Sequence, residues 1–181
     1  MNVFLFLAEG FEEIEAITPI DLLRRAGFEV CTVSISENEM VTGAHNISIK
    51  ADTTFAKADF SNADMLIIPG GMPGTTNLDN HEGLRQLLLD FNSANKHIAS
   101  ICAAPLILGK LGILNGKKAT CYPGFEEFLG KSHCTERVVI SENIITSQGP
   151  GTSFDFALAI IEQLMGKEKA DEISNGTRHT I

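Results

Sequence analysis

Short apolar runs closed by glycine, proline or asparagine alternate along this chain with longer segments of helical period. That order is the pattern of βα units, whose parallel strands are covered by the helices connecting them. Six or more such units are predicted, and with them an α/β fold built on a mostly parallel sheet. Strands are expected over 3–8, 28–35, 65–68, 98–101 and 118–121. Helices are expected over 12–26, where Ile14, Ile17, Leu22 and Leu23 recur on one side, around Leu84, Leu87, Leu88 and Phe91, and over 105–111 and 152–165. Residues 41–51 suit an edge hairpin, and 138–147 a hairpin turning at Glu142-Asn143. The tail, 174–181, is expected to fray.

With 181 residues, 44% of them apolar, the chain can bury a full core as one domain, 1–181, without disulfide or metal staples. Fourteen Lys and Arg against 23 Asp and Glu give a net charge of −9 with no basic run, which disfavours direct binding of nucleic acid. The opening Met1-Asn2-Val3-Phe4-Leu5-Phe6-Leu7 lacks a basic start and stops being apolar too early for a signal or a membrane span, so a cytoplasmic location without membrane attachment is expected. Cys31, Cys102, Cys121 and Cys134 match neither zinc-ligand nor Cys-x-x-Cys spacing, and reduced thiols with no metal site follow from that.

One cysteine stands apart. In Ala99-Ser100-Ile101-Cys102-Ala103-Ala104-Pro105 it lies between an apolar strand and a helix start, flanked by small residues that a tight turn accommodates. This is the pattern of a nucleophile elbow. Cysteine is also a small hydrophobe that often packs in strands, but here the flanks favour the reactive reading. Amides at a helix start favour a thiolate, with pKa lowered to roughly 3.5–7.5 in known cases. Cys31 and Cys121 read as packing residues. Gly70-Gly71 closes a strand at the carboxyl edge of the sheet, where two glycines let main-chain amides approach a developing oxyanion. Gly149-Pro150-Gly151-Thr152 precedes the last helix and reads equally as a rigid loop with Thr152 or Ser153 as cap.

Glu12, Glu13 and Glu15 open the first helix. Complementing the helix dipole suffices for Glu12 and Glu13. Glu15 differs, because Pro19 cannot donate to its carbonyl and apolar neighbours suggest burial. A buried carboxyl keeps its proton at higher pH, where it can donate to a thiolate or carry protons during turnover.

Ala8-Glu9-Gly10-Phe11-Glu12-Glu13-Ile14-Glu15, Ile67-Ile68-Pro69-Gly70-Gly71, the 98–105 elbow and Thr146-Ser147-Gln148-Gly149-Pro150-Gly151-Thr152 together resemble the ThiJ/PfpI superfamily, and within it the branch of YajL and the parkinsonism-associated deglycase. The resemblance implies a flavodoxin-like three-layer sandwich with helices on both sheet faces, a homodimer and no cofactor. It makes Cys102 the oxidisable nucleophile, Glu15 the protonated acid touching it, and the amides of Gly71 and Ala103 the oxyanion site, with Tyr122, His45, Gly149 and Pro150 as supporting positions. Tyr122 is a departure, since several relatives carry histidine there. No histidine follows the cysteine, which disfavours peptide or amide hydrolysis. The implied activity is glyoxalase or deglycase chemistry on a small aldehyde or dicarbonyl, converting methylglyoxal to lactate. The alternative is an oxidative-stress sensor or chaperone working through a Cys102 sulfinate. His81, His97, His133 and His179 read as solvated side chains, and the resemblance implies that the edge segment carrying His45 lies near the active site.

Overall fold

The structure, a computed structural model, describes residues 1–179. The chain runs β1 (Asn2–Leu7), α1 (Glu13–Ala26), β2 (Glu29–Ser34), β3 (Met40–Thr42), β4 (Ser48–Lys50), β5 (Thr53–Thr54), β6 (Met65–Ile68), α2 (Gly74–Asp79), α3 (Glu82–Ser93), β7 (His97–Ile101), α4 (Pro105–Lys110), β8 (Val138–Ser141), β9 (Ile144–Ser147), α5 (Ser153–Met165) and α6 (Lys167–Gly176). Seven strands form one sheet in the order β5-β2-β1-β6-β7-β9-β8, parallel throughout except for β8 against β9.

The period of two along β1 divides the core. Val3, Leu5 and Leu7 pack with Leu22 and Leu23 of α1, Phe156 and Ile160 of α5 and Ile173 of α6. Phe4 and Phe6 face the other way, against Leu78 of α2, Leu84 and Leu88 of α3 and Ile107 of α4. The result is the expected flavodoxin-like sandwich of three layers. The chain steps from β1 outward to β2, then crosses back to β6 and continues to β7 and β9, so the strand order reverses between β1 and β6. Ligands of open α/β sheets bind at the carboxyl ends of strands at such a reversal.

Four expectations need correction. Residues 118–121 form no strand. β7 already pairs with β9, so the segment adds only one bridge, Ala119 with His133, and crosses the strand ends instead. The 41–51 hairpin exists as β3 and β4 but makes its own two-stranded sheet, and the edge beside β2 goes to the two-residue β5. On α1 the buried stripe is Glu15, Ala16, Pro19, Leu22, Leu23 and Ala26, the 3–4 spacing of one helix face, which turns Ile14 and Ile17 outward at 52% and 41% exposure. Residues 174–176 belong to α6, and His179 stacks on Phe154 and reaches Asp155 at 3.2 Å, so the described tail is held; Thr180 and Ile181 lie outside the described residues.

Candidate active site

Four turns meet at the reversal. α1 starts after β1, and Glu12 caps it: its Oε2 accepts the Glu15 amide at 2.8 Å. That fixes the first turn and brings Glu15 round onto the buried face, where it is 0% exposed. Its Oε2 accepts the Gly70 amide at 2.8 Å, while Oε1 is buried with no hydrogen-bond partner. Gly70 in turn accepts the Glu12 amide at 2.9 Å, closing a loop between α1 and the end of β6.

Glycine at 70 is a steric requirement. A Cβ there would sit 2.6 Å from both the Cys102 Cβ and Glu15 Oε2, so the thiol and the carboxyl meet because nothing stands between them. Gly71 has φ 94°, and a Cβ would lie 2.3 Å from the Glu12 nitrogen.

Cys102 ends β7 in the left-handed region at φ 66°, a conformation that costs an L-residue about 1–2 kcal/mol. Two main-chain hydrogen bonds hold it there: its amide donates to Ser147 at 2.9 Å, and its carbonyl accepts the Tyr122 amide at 2.8 Å. At about 1 kcal/mol each they offset the strain. The elbow leaves Cys102 8% exposed, within hydrogen-bonding reach of Glu15 and of the amides of Ala103 and Gly71.

The electrostatics invert one expectation. Burial raises the Cys102 thiol, the Glu15 carboxylate raises it again, and the Ala103 and Gly71 amides pull against both without prevailing. The six-residue α4 has too little dipole to reverse that balance. Glu15 is lifted from 4.5 to about 7, by burial first and by the Glu12 charge, against hydrogen bonds from Cys102 and Gly70. The resting pair at neutral pH is therefore a thiol beside a carboxyl poised to take its proton.

The model of the DJ-1/PfpI family matches residues 1–163. The chain belongs to the DJ-1/PfpI family. It is 42% identical over 178 residues to Protein DJ-1 homolog A of Arabidopsis thaliana, covering 96% of this chain but 45% of that protein, so it spans less than half that relative's length. It is 35% identical to the Glutathione-independent glyoxalase DJR-1.2 of Caenorhabditis elegans, across 94% of this chain and 92% of that one. Oxidised DJ-1 of Toxoplasma gondii superposes with a TM-score of 0.96 at 36% identity, covering 99% of both chains.

In this member of the DJ-1/PfpI family the remaining predicted positions separate into two groups. Gly149 is held by Thr152, whose Oγ1 accepts the Gly149 amide at 3.1 Å and lies 2.6 Å from the Ser147 Oγ. Tyr122 packs on Gly149, and a cavity of about 200 Å³ opens between Tyr122, Pro123, Arg137, Gln148 and the 149–152 loop. Pro150 also borders a second cavity with Glu12, Glu13, Ile14, His45 and Ile47. His45 stays away from the thiol: its Nδ1 lies 2.9 Å from Glu13 Oε2, and its amide donates to Oε1 at 2.7 Å. Burial would raise Glu13, but the hydrogen bonds from His45 and Ile47 win and hold it low.

Sequence reasoning missed what Glu12 and Glu13 do. Both are buried, one capping α1 and the other pinning the loop between β3 and β4. The Glu12-x-x-Glu15 spacing, an acceptor at the cap facing the third helical residue, was the available signal. Glu12, Glu13 and His45 also present ligand atoms within 4.8 Å of one another, but Glu12 and Glu13 already hold main-chain amides and His45 is paired with Glu13.

Proposed function

We propose that this chain is a cofactor-independent enzyme acting on small reactive dicarbonyls, with Cys102 as nucleophile and Glu15 as proton carrier. The observation that carries this reading is the buried Glu15 carboxyl beside Cys102, with one oxygen fixed by Gly70 and the other unpartnered.

In the proposed reaction the Cys102 thiol gives its proton to Glu15 as sulfur bonds to the aldehyde carbon of methylglyoxal, and the Gly71 and Ala103 amides hold the oxyanion. Glu15 gives that proton up to the ketone oxygen, and the carboxylate so freed takes the aldehyde C–H proton and returns it to the neighbouring carbon, while the oxyanion becomes the thioester carbonyl. The aldehyde is oxidised to a thioester and the ketone reduced to an alcohol, an internal exchange needing no outside oxidant. Water cleaves the thioester to lactate and restores the thiol. A carboxyl of pKa about 7 suits both directions of transfer at neutral pH. The name of the C. elegans relative, a glyoxalase, supports this class of chemistry.

A second reading, sensing through a Cys102 sulfinate, draws on the same amides and the free Glu15 oxygen as partners for sulfinate oxygens. One preparation tests both. Incubated with methylglyoxal, the wild type forms lactate, and Cys102→Ala is slower by at least about 100-fold; equal rates sink the enzymatic reading. Mass spectrometry after mild peroxide finds Cys102 modified before Cys31, Cys121 and Cys134 on the sensor reading, and an unmodified Cys102 ends it.

A further inference from the structure

Tyr122 is attached to the site twice, in different ways. Its main chain is fixed, since its amide donates to the Cys102 carbonyl at 2.8 Å and the preceding loop is anchored by the Thr120 amide on Thr146 Oγ1 at 2.9 Å. Its ring lies against Gly149. A Cβ on Gly149 would be 3.0 Å from ring atom Cδ2, 3.5 Å from Cε2 and 3.9 Å from Glu15 Oε1. The ring and the unpartnered carboxyl oxygen thus approach the same bare glycine, with no other side chain supplied by that residue.

Exposure changes sharply across this stack. Tyr122 is 46% exposed and Glu15 is 0% exposed. The ring also borders the cavity of about 200 Å³ shared with Pro123, Arg137 and Gln148, which is roomy enough for several waters. The ring edge at Cδ2 and Cε2 lies against Gly149, which has no Cβ with which to shield Glu15.

We propose that the Tyr122 ring is the water barrier of Glu15, a positioning residue whose flat apolar body, rather than its hydroxyl, keeps the carboxyl dry. Its functional consequence rests on Glu15 being the proton carrier. Desolvation is the largest influence on Glu15, and the ionisable groups acting on it are Glu12 from its own helix start and Cys102 from the elbow, beside the Gly70 amide. Truncating the ring leaves those three groups in place and changes how far water reaches the carboxyl. The main-chain tie to Cys102 survives, because it does not involve the side chain.

The test is a carbon-13 carboxyl titration of Glu15 in the full chain, with the resonance assigned by its loss in Glu15→Gln. In Tyr122→Ala the midpoint moves toward the ordinary glutamate value by about one pH unit, while Tyr122→Phe titrates like the wild type. The acid limb of methylglyoxal turnover in Tyr122→Ala moves the same way. A wild-type midpoint in Tyr122→Ala overturns the proposal, as does a Tyr122→Phe midpoint displaced as far as that of Tyr122→Ala. If Tyr122→Ala fails to fold, Tyr122→Leu replaces it, with a smaller shift expected and an unshifted midpoint again fatal. Absence of turnover in the wild type would remove the enzymatic reading while the titration still decides the role of the ring.

Discussion

Glu15 is kept in a form that the folded protein must bear at a cost. Its pKa rises from 4.5 to about 7 on folding, so between those values the native state binds the proton more tightly than the unfolded chain does. Stability contributed by this residue is therefore full below pH 4.5 and is lost as pH rises through 7. At 1.36 kcal/mol per unit, the penalty above pH 7 is of the order of 3 kcal/mol. Glu15→Gln, uncharged and nearly isosteric, escapes it. The expected result is a melting temperature several degrees above wild type at pH 8, with the gain vanishing at pH 4.5, by calorimetry at both values. A gain independent of pH would show that the carboxyl does not ionise as described. Burial of this residue was legible in the sequence only indirectly, through Pro19 and its apolar neighbours. Its orphaned oxygen was not legible, because it depends on Gly70 and Gly149, which arrive from other strands.

Among the elements, α1 carries two unrelated duties on two faces. The inner one buries Glu15 with the core, while the outer one displays Ile14 and Ile17, and Ile14 borders a cavity with Ile47 of the β3–β4 loop, which is 52% exposed. Apolar side chains gathered this way are characteristic of an interface, and homodimerisation through this face is the expected assembly. Sedimentation of the wild type should give twice the 19.6 kDa chain mass, and Ile17→Lys should shift it to the monomer. A wild-type monomer, or a variant that stays dimeric, argues against this face. The sequence pattern led to the opposite placement of Ile14 and Ile17, because an apolar residue reads as inward until the helix phase is set by what it packs against. The strands of continuous apolar character were legible for the converse reason: burial on both faces leaves no phase to mistake. The helices α2 and α6 were not legible, with three buried residues in one and two in the other.

Across the whole molecule, the reversal of strand order between β1 and β6 gathers Glu15, Gly70, Cys102 and Gly149 from turns far apart in sequence. The elbow at Cys102 could be read locally, since strand, small residues and proline are consecutive. The meeting of thiol and carboxyl could be read only through the resemblance to a family, because no local pattern joins residue 15 to residue 102. The charge state is not legible in the sequence, because a helix start is a local feature whereas desolvation is a property of the assembled core. The central claim is that Cys102 and Glu15 titrate as a pair. The most direct measurement is the rate of Cys102 alkylation by an uncharged reagent across pH, in the wild type and in Glu15→Gln. Paired groups ionise in two steps, so the wild-type profile should rise first near pH 7 and again at much higher pH, and Glu15→Gln should lose the first rise and keep a single one. Superimposable profiles, or a first rise that survives in Glu15→Gln, would contradict the account.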